Sequence, residues 1–350
     1  MDPVMANENP FKLSQIFIPV SIGLVVVVWL FLREFDPKTL WTLRFNYTSV
    51  ACVFLAFLLM LGRDFGMIWR FRLMADKKIS WHQAFNIHIL SEFTSAVTPS
   101  AVGGSGLVVL FMNKEGLSVG RSTAIMFAGL IMDELFFIVV TPIIFLFVPM
   151  KELFNATSVV ASTISVIYWT VYAGITIWTL ILIVGLFFRP DMIAGLMQLI
   201  FRLPFLNRWH DKIKSFGSSI VESSKELGQR SKLFWLKIGA TTLLTWASRF
   251  LVVNALFMAF VPVNNQLIIF GRQLILWLVM LVSPTPGGSG LSEFAFKEYY
   301  SDIVLSTTPV LLIIILWRFI SYYFYLLVGT VVVPRWLRGK FKRRREYKKH

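Results

Sequence analysis

Six apolar runs in this 350-residue chain are each long enough to cross a lipid bilayer as a helix, which takes about 20 residues. They are residues 13–32, 47–69, 121–149, 164–187, 237–260 and 304–334. Only 15% of the residues are charged, against about 25% in soluble domains. Backbone groups in hydrocarbon must be satisfied within the segment, which favours helices. The sequence therefore predicts an all-α polytopic membrane protein. The first run has no small-residue cleavage pattern, so we interpret it as a retained span.

Two further apolar stretches, 81–112 and 265–300, are interrupted by the same pentapeptide. "GGSGL" occurs at 103–107 and again at 287–291, an offset of 184 positions. Broken backbone at membrane depth is tolerated only where it is buried in protein or lines a watery cavity. The half-helix ends that such a break creates carry partial charges suited to polar cargo. We therefore expect two broken helical hairpins, with ordinary kinks between closely packed helices as the alternative.

The distribution of basic residues predicts the topology. Residues 70–80, residues 188–236 and the tail 335–350 are strongly basic, and basic connections mark the cytoplasmic side. They share one side only if each glycine-split stretch returns to the side that it entered, either as a re-entrant hairpin or by crossing twice. We expect a bacterial cytoplasmic (inner) membrane protein with both termini in the cytoplasm. The net charge of +15 is interpreted as attraction to anionic lipid; no nucleic-acid partner is expected, because no folded reader domain accompanies the tail.

The order of elements predicts two units of the same plan and opposite orientation, an inverted-topology repeat. Each unit has a span, a broken re-entrant hairpin carrying "GGSGL" and a second span. The predicted divisions are 1–46 (first span and external connection), 47–149 (first unit, hairpin 81–117), 150–236 (spacer with one span and a basic amphipathic cytoplasmic segment), 237–334 (second unit, hairpin 265–300) and 335–350 (basic cytoplasmic tail).

Charged residues within apolar runs are expensive and are functional candidates. The 184-residue offset maps Glu134 onto Arg318, so we expect them to pair, directly or through substrate. The adjacent Arg63 and Asp64 are interpreted as structural. The four histidines and the single cysteine lack metal-site spacing, and no metal or cofactor is expected. The predicted polar cavity comprises Glu92, Thr98, Gly103, Gly104, Ser105, Gly106, Asp133, Glu134, Arg249, Arg272, Pro284, Pro286, Gly287, Gly288, Ser289, Gly290, Glu293 and Arg318.

Four segments, "TPSAVGGSGL", "MDELFF", "PTPGGSGLSEF" and "LWRFISYYFYLLVG", resemble the transmembrane region of the lysylphosphatidylglycerol synthases, also called the flippase-like domain family. The resemblance extends over roughly residues 15–335. It implies movement of lipids, including aminoacylated phosphatidylglycerol, between leaflets, with some relatives tied to isoprenoid or glycolipid pathways. It places Pro284, Pro286, Gly287, Gly288, Gly290, Glu293 and Arg318 in the second motif, and Asp133 and Glu134 in an acidic mid-span site. The aminoacyl-transferase domain of some members is not expected, because the chain ends sixteen residues after Pro334.

The predicted function is a lipid translocase rather than an enzyme. Membrane lipids would be the partners, and a headgroup would pass through the cavity between the two hairpins while the acyl chains stay in the bilayer. No nucleotide-binding motif is present, so an ion gradient, the membrane potential or the lipid gradient would supply the energy. Two alternatives remain open: a secondary transporter for a small solute or ion, and a membrane-embedded transferase acting on a lipid substrate.

Overall fold

The computed structural model describes residues 46–98, 100–154, 159–189, 219, 221–285, 287–304 and 307–347, and every regular element in these ranges is helical. The helices are α1 (Tyr47–Met74), α2 (Trp81–Val97), α3 (Ser100–Lys114), α4 (Val119–Phe147), α5 (Met150–Phe154), α6 (Val159–Ile183, continued by a π-helical turn Val184–Phe188), α7 (Lys232–Phe260), α8 (Gln266–Met280), α9 (Leu291–Tyr299), α10 (Thr307–Arg318) and, after a second π-helical turn Phe319–Tyr323, α11 (Phe324–Tyr347).

Five helical segments of the described chain are long and apolar enough to span a membrane. They are Tyr47–Met74, Val119–Phe147, Ser162–Phe188, Lys232–Phe260 and Thr308–Arg338. They coincide with five of the six predicted spans and confirm the all-α polytopic fold. The remaining prediction, 13–32, lies outside the described residues, as do most of the predicted amphipathic segment in the spacer and Pro286.

Polar residues at the loop ends set where the helices begin. Asn46, Ser118 and Ser231 each accept a hydrogen bond from a backbone N–H of the first turn, which satisfies one of the donors that a helix start leaves free. Ser80 and Gln83 form a reciprocal capping box at the start of α2. Polar capping residues therefore mark where these apolar helices begin.

Each glycine-split stretch folds back on itself. Gln83 Nε2, at the start of α2, donates to the carbonyl of Glu115, just beyond the end of α3, at 3.1 Å. In the second stretch Gln273 Nε2 of α8 donates to the Tyr300 hydroxyl, just beyond α9, at 3.0 Å. α2 has 17 residues and α8 has 15, so they are about 25 and 22 Å long at 1.5 Å per residue, less than the bilayer's hydrocarbon core of about 30 Å.

The two "GGSGL" segments have different backbones. The second is unwound, with Gly287, Gly288 and Gly290 at φ values of 57, 69 and 85°. The first lies inside α3, and its hairpin breaks earlier, at Thr98, which is extended at φ −100° and ψ 143°. A residue that precedes proline is pushed out of the helical region, and Pro99 follows Thr98. The prediction that the pentapeptide itself interrupts the stretch is therefore wrong for the first copy, because proline places the break ahead of the glycines.

The helix contacts between the two predicted units are reciprocal. α1 and α7 run antiparallel. Near the start of α1, Ser49 Oγ donates to the carbonyl of Ala259 at the end of α7, at 2.8 Å. Near the end of α1, Arg70 donates to Thr242 Oγ1 in the first half of α7, at 3.1 Å. The first hairpin packs on the last span of the second unit through α2 and α11, and the second packs on the last span of the first unit through α8 and α4. This exchange supports a two-fold relation between the units, while their opposite orientation in the membrane stays a prediction.

Candidate functional site

A cavity of about 300 Å³ lies between the two units. Its walls come from α1, α2, α7 and α8, from the second glycine loop and from the last span. The polar lining residues are Arg63, Glu92, Ser95, Thr245, Arg249, Gln273, Ser283, Thr285, Ser292, Arg318 and Ser321, and the aromatic ones are Trp246, Trp277, Trp317, Tyr322 and Tyr325. A cavity of this size, lined by charges inside so apolar a chain, is a candidate ligand site.

The second glycine loop is held by a buried ion pair. Arg318 Nε lies 2.7 Å from Glu293 Oε1, and the Glu293 side chain is fully buried. Both terminal nitrogens of Arg318 donate to the Gly287 carbonyl at 3.3 Å. Glu293 Oε2 accepts the Gly290 N–H at 2.7 Å. The pair therefore clamps the unwound segment between α8 and α9.

The partner of Arg318 corrects the prediction drawn from the repeat offset. Arg318 pairs directly with Glu293, whereas Glu134 accepts a hydrogen bond from Thr179 Oγ1 at 2.7 Å. The expected direct pair between Glu134 and Arg318 is wrong. Equivalent depth along two spans does not make two side chains face each other.

Gly287 and Gly288 allow a test of how tightly this loop is packed. Both have positive φ, where a side chain costs about 1–2 kcal/mol. A Cβ on Gly287 would overlap the Tyr322 ring, whereas a Cβ on Gly288 would lie 3.6 Å from Ser292 Cβ in ordinary contact. We expect Gly287→Ala to lower the thermal unfolding midpoint in detergent well beyond Gly288→Ala, since overpacking adds about 1–3 kcal/mol. Equal losses in the two variants would contradict the loop geometry.

The opposite wall carries a second charge cluster. Arg63 pairs with Glu92 across α1 and α2, and its other terminal nitrogen lies 2.9 Å from Asp64 Oδ1. Arg63, which the sequence led us to interpret as structural, makes these two ion pairs and also lines the cavity. Its presence in an apolar run was the signal for this role. Its direct neighbour Asp64 obscured that signal by suggesting a local pair.

Arg249 is the exception among the cavity cations. Its guanidinium lies 4.1 Å from the ring centroid of Trp277 and 5.9 Å from that of Trp246. Unlike Arg63 and Arg318, it has no carboxylate within ion-pair distance among the residues that the structure describes. The cavity therefore presents one guanidinium that is held by aromatic faces and is free to take an anion.

The predicted site residues fall into three groups. Glu92, Arg249, Gly287, Gly288 and Arg318 line the cavity. Ser289, Gly290 and Glu293 support it through the Arg318 clamp, and Pro284 is exposed beside the loop. Thr98 marks the first hairpin break, where its hydroxyl donates to the Thr94 carbonyl at 2.7 Å, and Gly103, Gly104, Ser105 and Gly106 are helical.

The third group lies away from the cavity lining. Arg272 Nη1 lies 2.5 Å from Asp302 Oδ1, and its guanidinium also donates to the Glu152 carbonyl, which joins α8 to α5 and to the connection between α9 and α10. Asp133 pairs with Arg70 at 2.5 Å and accepts from Trp246 Nε1 at 2.7 Å. In the described part of the chain, the polar contact of Glu134 is the hydrogen bond from Thr179 given above. No cluster of three potential metal-ligating side chains occurs in the described part of the chain.

Comparison with known proteins identifies the family of the chain. The family model described as the lysylphosphatidylglycerol synthase TM region matches residues 16–329. The chain belongs to this family. A UPF0104 membrane protein of the archaeon Archaeoglobus fulgidus is 26% identical over 333 residues, covering 91% of this chain and 95% of that protein. No solved structure matches. Family membership and the apolar helices establish an integral membrane protein; the bacterial membrane and the side of the termini stay predictions.

Proposed function

We propose that this member of the lysylphosphatidylglycerol synthase TM region family translocates an anionic lipid between leaflets without changing it covalently. The observation that carries the proposal is the guanidinium of Arg249, which pairs with no carboxylate of the described residues and lies in a cavity shared by two units. Arginine is the side chain best suited to a phosphate, because its planar fork donates two parallel hydrogen bonds.

The electrostatics favour a headgroup that carries negative charge. Arg63 and Arg318 form ion pairs with Glu92 and Glu293, whereas the guanidinium of Arg249 has no carboxylate within ion-pair distance among the described residues. An isolated charge at membrane depth costs about 3 kcal/mol or more. A phosphate diester would give Arg249 a direct anionic partner and offset that cost.

The size of the cavity favours a headgroup rather than a whole lipid. A volume of about 300 Å³ is at the lower end of the 300–1,000 Å³ of small-molecule sites. It accommodates a phosphate and a small polar substituent, but not two acyl chains as well. The acyl chains would therefore remain in the bilayer. Trp246, Trp277 and Trp317 would form the apolar walls around the headgroup.

The packing of the units suggests how access would alternate. α1 and α7 contact each other along their length, and each hairpin packs on the other unit. Rocking of one unit against the other about the α1–α7 contact would expose the cavity first to one leaflet and then to the other, as in other inverted-repeat transporters.

A fluorescent-lipid assay tests the proposal. Purified protein is reconstituted into phosphatidylglycerol vesicles that contain NBD-labelled phosphatidylglycerol, and dithionite bleaches the outer leaflet. Vesicles with protein are expected to lose fluorescence beyond the outer-leaflet fraction, whereas protein-free vesicles lose only that fraction. Loss limited to the outer leaflet in both would contradict lipid translocation.

A small inorganic anion is the second candidate cargo, because the cavity volume also fits free phosphate. The same vesicles loaded with radioactive phosphate distinguish the two sources of the anion. Phosphate release without movement of NBD-labelled lipid would identify a solute transporter. Lipid movement without phosphate release supports the lipid translocase.

A further inference from the structure

A buried polar cluster lies directly behind the cavity wall and is centred on the carboxylate of Asp64. The Tyr325 hydroxyl donates to this carboxylate at 2.6 Å, and Arg63 Nη1 lies 2.9 Å from Oδ1. His88 Nε2 lies 3.0 Å from the same Oδ1, and the His88 side chain is fully buried. The carboxylate thus binds three side chains at once.

The cluster joins the two units. Asp64 and Arg63 belong to α1, His88 to the first hairpin and Tyr325 to the last span of the second unit. Two of its members, Arg63 and Tyr325, also line the cavity. A change of charge at Asp64 or His88 would therefore be felt both at the headgroup site and at the contact between the units.

The other ring nitrogen of His88 is unusual. Nδ1 is buried and has no hydrogen-bond partner among the described residues. Leaving a buried polar atom unsatisfied costs about 1–3 kcal/mol. An apolar side chain at this position would not incur that cost. The Nδ1 lone pair of a neutral imidazole is a vacant proton acceptor, and imidazole is the side chain that exchanges protons near neutral pH.

The charges around this ring balance as they stand. With a neutral imidazole, two carboxylates face two guanidiniums, and a proton on Nδ1 would leave one net positive charge in an apolar setting. The titratable and charged side chains that face the cluster are Arg63 and Asp64 of α1, Glu92 of α2, Tyr325 of α11 and Arg249 of α7.

We infer that His88 is a proton-binding site and that one proton binds together with one anionic headgroup in the adjacent cavity. The inference rests on the proposed function and names its coupling ion. The proton on His88 Nδ1 adds the positive charge that the headgroup's negative charge cancels. The net charge of the protein with proton and headgroup bound is therefore the same as that of the empty protein. Protonation also weakens the hold of Asp64 on Arg63 and Tyr325, because the imidazolium competes for the same carboxylate.

The test uses vesicles with an imposed pH gradient and a trace of NBD-labelled phosphatidylglycerol. For one proton per lipid, each pH unit of gradient is expected to shift the distribution of labelled lipid between leaflets up to tenfold toward the alkaline side, since one pH unit corresponds to a factor of ten in equilibrium. A potassium diffusion potential of either sign is expected to leave that distribution unchanged, because the lipid and proton charges cancel.

His88→Gln separates coupling from structure. Glutamine can still donate to Asp64 but cannot take up a proton, so this variant is expected to move lipid with no response to the pH gradient. The matched control is His82→Gln in the same helix, where His82 is exposed and contacts only Asn86 at 3.3 Å in the described chain. It should keep the wild-type response. A purely structural His88 would lower all rates and leave the gradient response intact.

Two results overturn the inference in distinguishable ways. A wild-type protein that equilibrates the labelled lipid equally under every gradient disproves proton coupling and leaves lipid translocation standing. A wild-type protein that moves no lipid under any gradient contradicts the proposed function, and the coupling falls with it. Proton uptake by the protein in weakly buffered detergent on addition of short-chain phosphatidylglycerol, lost in His88→Gln, provides an independent supporting measurement.

Discussion

Replacing Arg249 with leucine is expected to reduce translocation of NBD-labelled phosphatidylglycerol by about tenfold to a hundredfold. Arg249 is the cavity guanidinium that no carboxylate of the described residues neutralises. A hydrogen bond to a charged group contributes about 1.5–3 kcal/mol, and each 1.4 kcal/mol is a factor of ten. The initial rate at which dithionite bleaches the label that starts in the inner leaflet measures the effect. Arg249→Lys should retain part of the activity because it keeps the charge.

Arg72→Leu is the matched control for this prediction. Arg72 also rests on an aromatic ring, 4.7 Å from the centroid of Trp81, but it lies outside the cavity lining. It should translocate lipid at nearly the wild-type rate. If Arg249→Leu and Arg72→Leu had the same rate, the cavity cation would have no special role in translocation.

Replacing Arg318 with methionine is expected to destabilise the protein by about 3–5 kcal/mol, the range found when one partner of a buried ion pair is removed. Glu293 is fully buried and would lose its ion-pair partner, which leaves the Gly290 N–H and the Ser292 hydroxyl as its donors among the described residues. The free energy of unfolding in a mild detergent titrated with denaturant measures the loss.

The double variant Arg318→Met with Glu293→Gln isolates the cause. A neutral amide no longer leaves a buried charge, so most of the lost stability should return even though the pair is gone. A single Arg318→Met variant as stable as the wild type would show that Glu293 does not depend on Arg318. A double variant no more stable than the single one would attribute the loss to side-chain packing instead.

The membrane location of the chain and the number of its described spans could be predicted from the sequence alone. A bilayer selects by length and hydropathy, and both are properties of a run such as 121–149 or 237–260 without reference to any other run. A break in each glycine-split stretch could be predicted for a similar reason, because glycine and proline interrupt a helix locally. That the two hairpins are re-entrant stays a prediction. The position of the break in the first hairpin could not be predicted in this way. Pro99 disfavours the helical conformation at Thr98, which precedes the glycines in the chain.

The partners of the intramembrane charges depended on tertiary structure. Glu134 and Arg318 are separated by the repeat offset of 184 positions, which relates their depths but not the directions in which their side chains point. Each residue turns the side chain by about 100° around a helix axis, because a turn holds 3.6 residues. Arg318 consequently meets Glu293, and Glu134 meets Thr179.

The cavity shows the same division. Apolar runs, glycine breaks and the basic connections indicate how many segments enter the membrane and where they end, because these features act within one segment. Only the packing of α1 on α7, and of each hairpin on the opposite unit, brings Arg63, Glu92 and Arg249 to one space. Whether a buried arginine has a carboxylate partner depends on side chains that are far apart in the sequence. A local sequence pattern does not give the spatial distance between such side chains.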